Sequence, residues 1–285
     1  MILNKDINYN KGLIGACEGG HINLVKMMLS LGANDYNEGL KYACLGGHLN
    51  IIKMMLDLGA NEYNFGLYGA CQGGHIAVIR MILDLGANEY DGGLHAACRG
   101  GHYAVVKLVL DLGGKDYNYI LEGACIGGHI EIVKMMLDLG ANDYNNGLYG
   151  ACLGGYLEII KMMLDLGAND YNFGLRGACR GGHNEVVKMM LDLGATDYDG
   201  GLEGACIGDH VEIVKMMLSL GANNYEYLQC GNLELNIIYT RLTSKDPSYK
   251  VITLPIKTEH PEYHLLNVYQ RKVPDIDRLI NKYLF

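Results

Sequence analysis

The chain has 285 residues, of which 49% are apolar and 19% charged; this composition is typical of a folded globular protein and excludes a disordered one. The formal net charge is −9, and because residues 228–285 carry 8 basic and 6 acidic side chains, residues 1–227 carry −11. This acidic body argues against nucleic-acid binding, since phosphate contacts need clustered lysine and arginine. The sequence lacks both an apolar run of roughly 20 residues and a secretory signal pattern, so we expect an intracellular, cytoplasmic protein without membrane contact.

The first eleven residues precede a repeated pattern. Stacked repeats need a polar or covered end, so we expect residues 1–11 to act as an N-terminal cap in which Met1, Ile2 and Leu3 fold over the first repeat. Two alternatives are fraying of that first repeat and oligomerisation through its uncapped edge.

Residues 12–227 repeat with a period of 27. Eight copies follow the form GLxxACxGGHxxIVKMMLDLGANxYNx, with one exchange of the opening Gly for Ile120. A fixed period of this length is typical of a solenoid, in which each unit buries its apolar face only by stacking on its neighbours.

Each unit is predicted to form two short antiparallel helices. In residues 145–167, Asn145 is expected to be the N-cap of a first helix over 146–153, with a buried stripe of Leu148, Ala151 and Cys152. The glycine pair that follows supplies positive φ for a tight reversal. A second helix over about 157–166 ends at Gly167, and its inward face comprises Ile159, Ile160, Met163 and Leu164.

The shared run of each unit resembles a known repeat family. Residues Ala124 to Ala141, ACIGGHIEIVKMMLDLGA, are similar to the AAxxGHxxVVxLLLxxGA core of the ankyrin repeat. The resemblance implies an all-α, curved solenoid whose concave face, lined by the first helices and the loops, binds a partner protein. Two features depart from the family: the opening is GLxx instead of TPLH, and the loop between units is about six residues shorter, so we expect no full β-hairpin fingers. The short unit is similar to arrays encoded by large DNA viruses of amoebae, which would imply a viral protein that binds host proteins in the host cytoplasm.

The shared cysteine and histidine residues do not predict chemistry. One cysteine per unit lies on the buried stripe, and helices stacked about 8–10 Å apart exceed the roughly 7 Å reach of a disulfide. Pairs such as Cys71 and His75 recur a repeat apart, so four ligands do not converge on zinc, and a turn histidine bonded to backbone groups explains the pattern. Because a nucleophile, a base and an orienting acid cannot be assembled from residues that recur at every step, we predict a non-enzymatic protein without cofactor or metal.

Specificity is predicted to reside where the units differ. Three positions of each first helix, spaced i, i+3 and i+7, vary most and share one helical face. Exposed aromatic and arginine side chains on such a face are typical of interface hot spots, with drift on a tolerant surface as the alternative. The predicted partner-binding residues are Phe65, Tyr68, His95, Arg99, Tyr119, Glu122, Tyr149, Phe173, Arg176 and Arg180. Among these the densest group fits an acidic or aromatic partner segment and comprises Phe173, Arg176 and Arg180.

The C-terminal part departs from the repeat. Residues 228–242 echo the start of a second helix and are predicted to be a degenerate ninth repeat. Residues 243–285 are predicted to be a cap or a small accessory segment, with a β-prone stretch at 251–256 and a helix from Pro274 to Phe285. An alternative function follows from a weak F-box-like match at Leu254-Pro255, which would make the protein an adaptor that recruits a ubiquitin ligase. The match lacks the expected acid, because Lys257 occupies that position.

Overall fold

The computed structural model describes residues 8–228, 235, 238, 242, 249–254 and 266–271. The chain divides into two compact units, residues 1–150 and residues 151–285, and the boundary lies within one helix. Each unit is described below by itself.

Residues 9–220 form sixteen α-helices that alternate between a longer first helix and a shorter second helix. In the first unit the helices are α1 Tyr9–Glu18, α2 Ile22–Ser30, α3 Tyr36–Gly46, α4 Leu49–Asp57, α5 Tyr63–Gly73, α6 Ile76–Asp84, α7 Tyr90–Gly100, α8 Tyr103–Asp111, α9 Tyr117–Gly127 and α10 Ile130–Asp138. Helix α11, Tyr144–Gly154, contains the boundary. The second unit continues with α12 Leu157–Asp165, α13 Tyr171–Gly181, α14 Asn184–Asp192, α15 Tyr198–Ile207 and α16 Val211–Leu220, followed by a 3₁₀ turn at Tyr225–Leu228. Residues 8–228 contain no strand, which confirms an all-helical ankyrin-like stack without β-hairpin fingers.

The apolar stripes predicted from helical spacing form the core. Leu148, Ala151 and Cys152 are buried on the first helix. On the second helix Ile159, Ile160 and Met163 are buried, whereas Leu164 is only half-buried. In the first unit the first helices α1 to α9 each pack on their own second helix and on the adjacent first helix, and in the second unit α13 and α15 do the same. The core is therefore a continuous row of interfaces between repeats.

The predicted helix start is wrong by two residues. The first helix begins at Tyr144, and the amide of Asn146 donates to Asp143, the residue before the helix. The asparagine at the second position of the first helices, which is Asn145 in α11 and Asn118 in α9, has another role. The Oδ1 of Asn118 accepts hydrogen bonds from the backbone amides of Asn142 and Asp143 in the next repeat, at 2.7 and 3.0 Å. Asp and Asn lie two residues apart and are both good caps, so their order along the helix did not reveal which one caps it.

Positive φ occurs where the sequence predicts tight turns. Gly155 has φ 78° between the two helices of a repeat, and Gly167 has φ 104° after the second helix. In the last repeat Asp209 replaces the corresponding glycine and keeps φ at 61°. Asp is one of the few residues that tolerate this region.

Helix capping yields a first testable prediction. The side chain of Asp116 accepts a hydrogen bond from the amide of Tyr119, whereas Glu62 at the equivalent position makes no such bond. We expect Asp116→Ala to lower the free energy of unfolding by about 1 kcal/mol and Glu62→Ala to leave it nearly unchanged. Urea unfolding followed by circular dichroism measures both, and equal losses would contradict the capping assignment.

The C-terminal segment contains a two-stranded antiparallel ribbon. Strand β1, Tyr249–Leu254, overlaps the β-prone stretch and pairs with β2, Leu266–Arg271, so that Val251 lies opposite Tyr269. Before it, Leu228 and Leu235 are buried. The proposed helix from Pro274, the cap formed by Met1–Leu3 and the F-box-like match beyond Leu254 lie outside the described residues, so those assignments stay predictions. Among the described helices, none is long and apolar enough to cross a membrane.

Candidate functional site

The shared histidine holds neighbouring repeats together. The Nε2 of His75 donates to the carbonyl of Leu45 in the preceding repeat at 3.0 Å, and the Nε2 of His102 does the same to Gln72 at 2.9 Å. Each ring also lies against the second glycine of the preceding repeat, which is Gly47 for His75 and Gly74 for His102. The predicted structural role of the turn histidine is confirmed.

The shared cysteine is part of the core. All eight cysteines of residues 8–228 are buried, and burial raises the pKa of the Cys98 thiol to about 12. The thiol of Cys98 therefore stays protonated near neutral pH and is a poor nucleophile or metal ligand. Within the described residues, groups of three or more His, Cys, Asp or Glu side chains that could hold a metal ion are absent.

The variable positions fall into three classes of exposure. Exposed side chains are Phe65, Arg99, Tyr119 and Arg180. Half-buried side chains are Tyr68, Glu122, Phe173 and Arg176. Buried side chains are His95 and Tyr149. Whether any of these residues binds a partner remains a prediction.

The expectation that all variable positions face solvent is wrong at two of them. His95 is 7% exposed and Tyr149 is 8% exposed. Both occupy the middle position of the triplet, at which Tyr68 and Arg176 are half-buried. For His95 the reason is visible: the ring of Tyr119 stacks on it, with centroids 4.2 Å apart and planes 9° apart.

An aromatic cluster spans neighbouring first helices of the first unit. The Nζ of Lys41 lies 5.2 Å from the ring centre of Tyr42 and 5.9 Å from those of Phe65 and Tyr68. Burial raises the pKa of Tyr119, with smaller contributions from Tyr68, Glu122 and Asp116. Lys41 and Tyr42 were not among the predicted site residues. The sequence of their own helix does not show that Lys41 lies near the rings of Phe65 and Tyr68 in the next repeat.

In the second unit, one predicted cation is already paired. The Nη2 of Arg176 donates to Oε1 of Glu203 at 2.6 Å, and Glu203 occupies the same position one repeat later. This ion pair neutralises much of the charge that the sequence assigned to Phe173, Arg176 and Arg180. Attraction of an acidic segment to this group is therefore weaker than the sequence indicates.

The surface formed by the second helices is more uniform. One open depression on it, about 750 Å³, is lined by Tyr103, Glu131, Lys134, Met135, Asp138 and Leu139. Tyr103 is 45% exposed, and the Nζ of Lys107 lies 4.9 Å from its ring centre. Most of the lining repeats from unit to unit, so this side offers less specificity than the first-helix side.

His95 predicts a pH dependence of stability. Burial, with a smaller contribution from Arg99, lowers its pKa from 6.5 to about 4, so the folded chain holds a neutral ring while the unfolded chain takes up a proton below 6.5. Stability is therefore fully present above pH 6.5 and is lost as pH falls toward 4. Relative to His95→Leu, we expect the wild type to lose about 2 kcal/mol between pH 7.5 and 5. Urea unfolding at several pH values measures the difference, and parallel profiles would contradict it.

Comparison with known proteins finds a match to ankyrin repeats in part of the chain. Residues 94–173 match the family model described as ankyrin repeats (3 copies). Among solved structures, the human ASB11 ankyrin repeat domain is similar at 27% sequence identity, covering 55% of this chain and 83% of that chain with a TM-score of 0.37. None of the curated protein sequences matches this chain.

Proposed function

Since residues 94–173 are ankyrin repeats, we propose that the protein is a scaffold that binds a partner protein through the face formed by its first helices, the face that the sequence predicts to be concave. Ankyrin repeats are in general protein–protein interaction modules and are typically non-enzymatic. Because the 27-residue unit is similar to arrays encoded by large DNA viruses of amoebae, the proposed partner is a protein in the cytoplasm of the viral host.

One observation carries the proposal. The residues that recur in every repeat are committed to stacking, as the His75 bond to Leu45 and the buried cysteines illustrate. The residues that differ between repeats include exposed Phe65, Arg99 and Tyr119 on the first helices. Large aromatic and arginine side chains that stay exposed on the folded repeats are the groups that contribute most to protein interfaces.

Affinity capture with two matched variants tests the proposed face. The first variant combines Phe65→Ala, Tyr119→Ala and Arg180→Ala on the first helices; the second combines Tyr103→Ala and Lys134→Ala on the second helices. Circular dichroism establishes that both fold like the wild type. We expect proteins captured by the wild type to be lost with the first variant and retained with the second. The opposite pattern would move the binding face to the second helices.

A further inference from the structure

Two repeats of the first unit depart from the capping chemistry of the others. Asp35, Asp116 and Asp170 each accept a hydrogen bond from an amide in the first turn of their helix. The equivalent residues Glu62 and Glu89 are exposed and make no side-chain bond to their helices. Glu is a poor N-cap, so each exchange weakens a helix start and leaves a carboxylate available to solvent.

Beside these two carboxylates lies an open space between aromatic side chains. The third residue of each first helix is next to its cap, and in consecutive repeats this residue is Phe65, Gly92 and Tyr119. Phe65 is 45% exposed, Tyr119 is 42% exposed, and a Cβ added to Gly92 would meet no described atom within 4 Å. We call the space above Gly92, between Phe65 and Tyr119, the Gly92 gap.

A buried polar atom adjoins the Gly92 gap. His95 lies one turn after Gly92 beneath the Tyr119 ring, and its Nδ1 is buried without a hydrogen-bond partner among the described residues. Leaving such an atom unpaired is unfavourable, so a group of this kind in a folded protein needs an explanation. A neutral imidazole has one acceptor nitrogen, so a ligand N–H that enters the Gly92 gap could satisfy it.

The surroundings favour a positively charged occupant. Residues 1–227 carry a net charge of −11, and Glu62 and Glu89 directly precede the helices that carry Phe65 and Gly92. The adjacent rings already hold a cation, because Lys41 lies 5.9 Å from the ring centres of Phe65 and Tyr68. Aromatic faces, carboxylates and an acceptor nitrogen all recognise a cationic N–H donor.

We propose that the Gly92 gap binds a lysine or arginine side chain from a basic segment of the partner protein. This inference rests on the proposed function and names the chemistry of the partner. The side chain lies between Phe65 and Tyr119, and its charged end contacts Glu62 and Glu89.

Nearby cations set the direction of the bound segment. Arg99 is exposed seven residues after Gly92, about 10 Å along the helix, and would repel a basic segment there. Lys41 is paired with Glu38 at 3.5 Å, and Lys115 is exposed in the following loop. The segment therefore runs across the helix starts between Glu62 and Glu89, away from Arg99.

Selection of peptides with the full-length protein tests the proposal. The probe is a library of randomised ten-residue peptides, and the selected sequences are resynthesised with each arginine replaced by citrulline or each lysine by acetyl-lysine. We expect selected peptides to be enriched in arginine or lysine, and the neutral replacement to weaken binding about tenfold or more by fluorescence anisotropy. Selection of acidic peptides, selection without a charge preference, or no selected binder would overturn the proposal.

Three variants and one control localise the site. Phe65→Ala with Tyr119→Ala, and Glu62→Gln with Glu89→Gln, should each weaken the selected peptide about tenfold or more. The control Tyr103→Ala removes an equally exposed aromatic ring from the second helices and should not weaken it. Glu62→Asp with Glu89→Asp restores the cap of the other repeats and should raise the unfolding midpoint while weakening the peptide. Unchanged binding by the first two variants would overturn the Gly92 gap as the site.

The two proposals fail differently. If capture of protein depends on the first helices but the peptides show no basic preference, the proposed function stands and the inference fails. If a basic peptide binds and depends on Glu62 and Glu89 while protein capture depends on Tyr103 and Lys134, the peptide site stands and the proposed face fails.

Discussion

Replacing Gly73 with alanine is expected to lower the free energy of unfolding by about 3 kcal/mol. Gly73 is the last residue of α5, and a Cβ added there would overlap the carbonyl oxygen of Leu45 in the preceding repeat. The same carbonyl accepts the hydrogen bond of His75, and the new Cβ would also lie 2.7 Å from the Cδ2 of that ring. The methyl group therefore separates two helices and breaks the bond that joins them.

Gly92→Ala is the matched control for this substitution. Both glycines are helical and lie in neighbouring repeats, but the space around Gly92 is open. Because alanine is a better helix former, Gly92→Ala should raise the free energy of unfolding by about 0.5–1 kcal/mol. Urea unfolding followed by circular dichroism compares the two. The prediction would be contradicted if Gly73→Ala lowered the free energy of unfolding by no more than the amount by which Gly92→Ala changes it, because separating the two helices would then cost nothing.

The repeat pattern made the fold predictable. A period of 27 fixed the number of helical hairpins, and helical spacing identified Leu148, Ala151 and Cys152 as core residues. The same stacking contacts are needed in every repeat, so each copy of the pattern supported the prediction of stacked helical hairpins. Assignment of the helix start failed because Asp143 and Asn145 have similar side chains, and only the position of the next loop separates their roles.

The site was less predictable because its residues act across repeats. Spacing along one helix placed His95 on a variable face, but its exposure depends on Tyr119, which is 24 residues away and stacks on it. In the same way Arg176 looks like a free cation until Glu203 is placed beside it. The sequence shows Glu instead of Asp at residues 62 and 89. Only the structure shows that these residues precede the first helices and that the exchange removes a helix cap.

Leu67→Ala is expected to lower the free energy of unfolding by about 3–5 kcal/mol. Leu67 is buried in α5, and its Cγ would lie 3.4 Å from a Cβ added to Gly93 of the next repeat, so it fills an interface as well as its own hairpin. The cavity cannot close easily, because the two first helices already meet through glycine.

The exposed Leu85 provides the control, and Leu85→Ala should change the free energy of unfolding by no more than about 0.5 kcal/mol. Because repeats contact only their neighbours, weakening one interface should also uncouple the repeats on either side of it. We therefore expect the urea transition of Leu67→Ala to become broader, with a smaller dependence on denaturant concentration, while that of Leu85→Ala keeps its slope. A shift of the midpoint at constant slope would mean that the stack unfolds as one unit and that the interface at Leu67 does not separate independently folding parts.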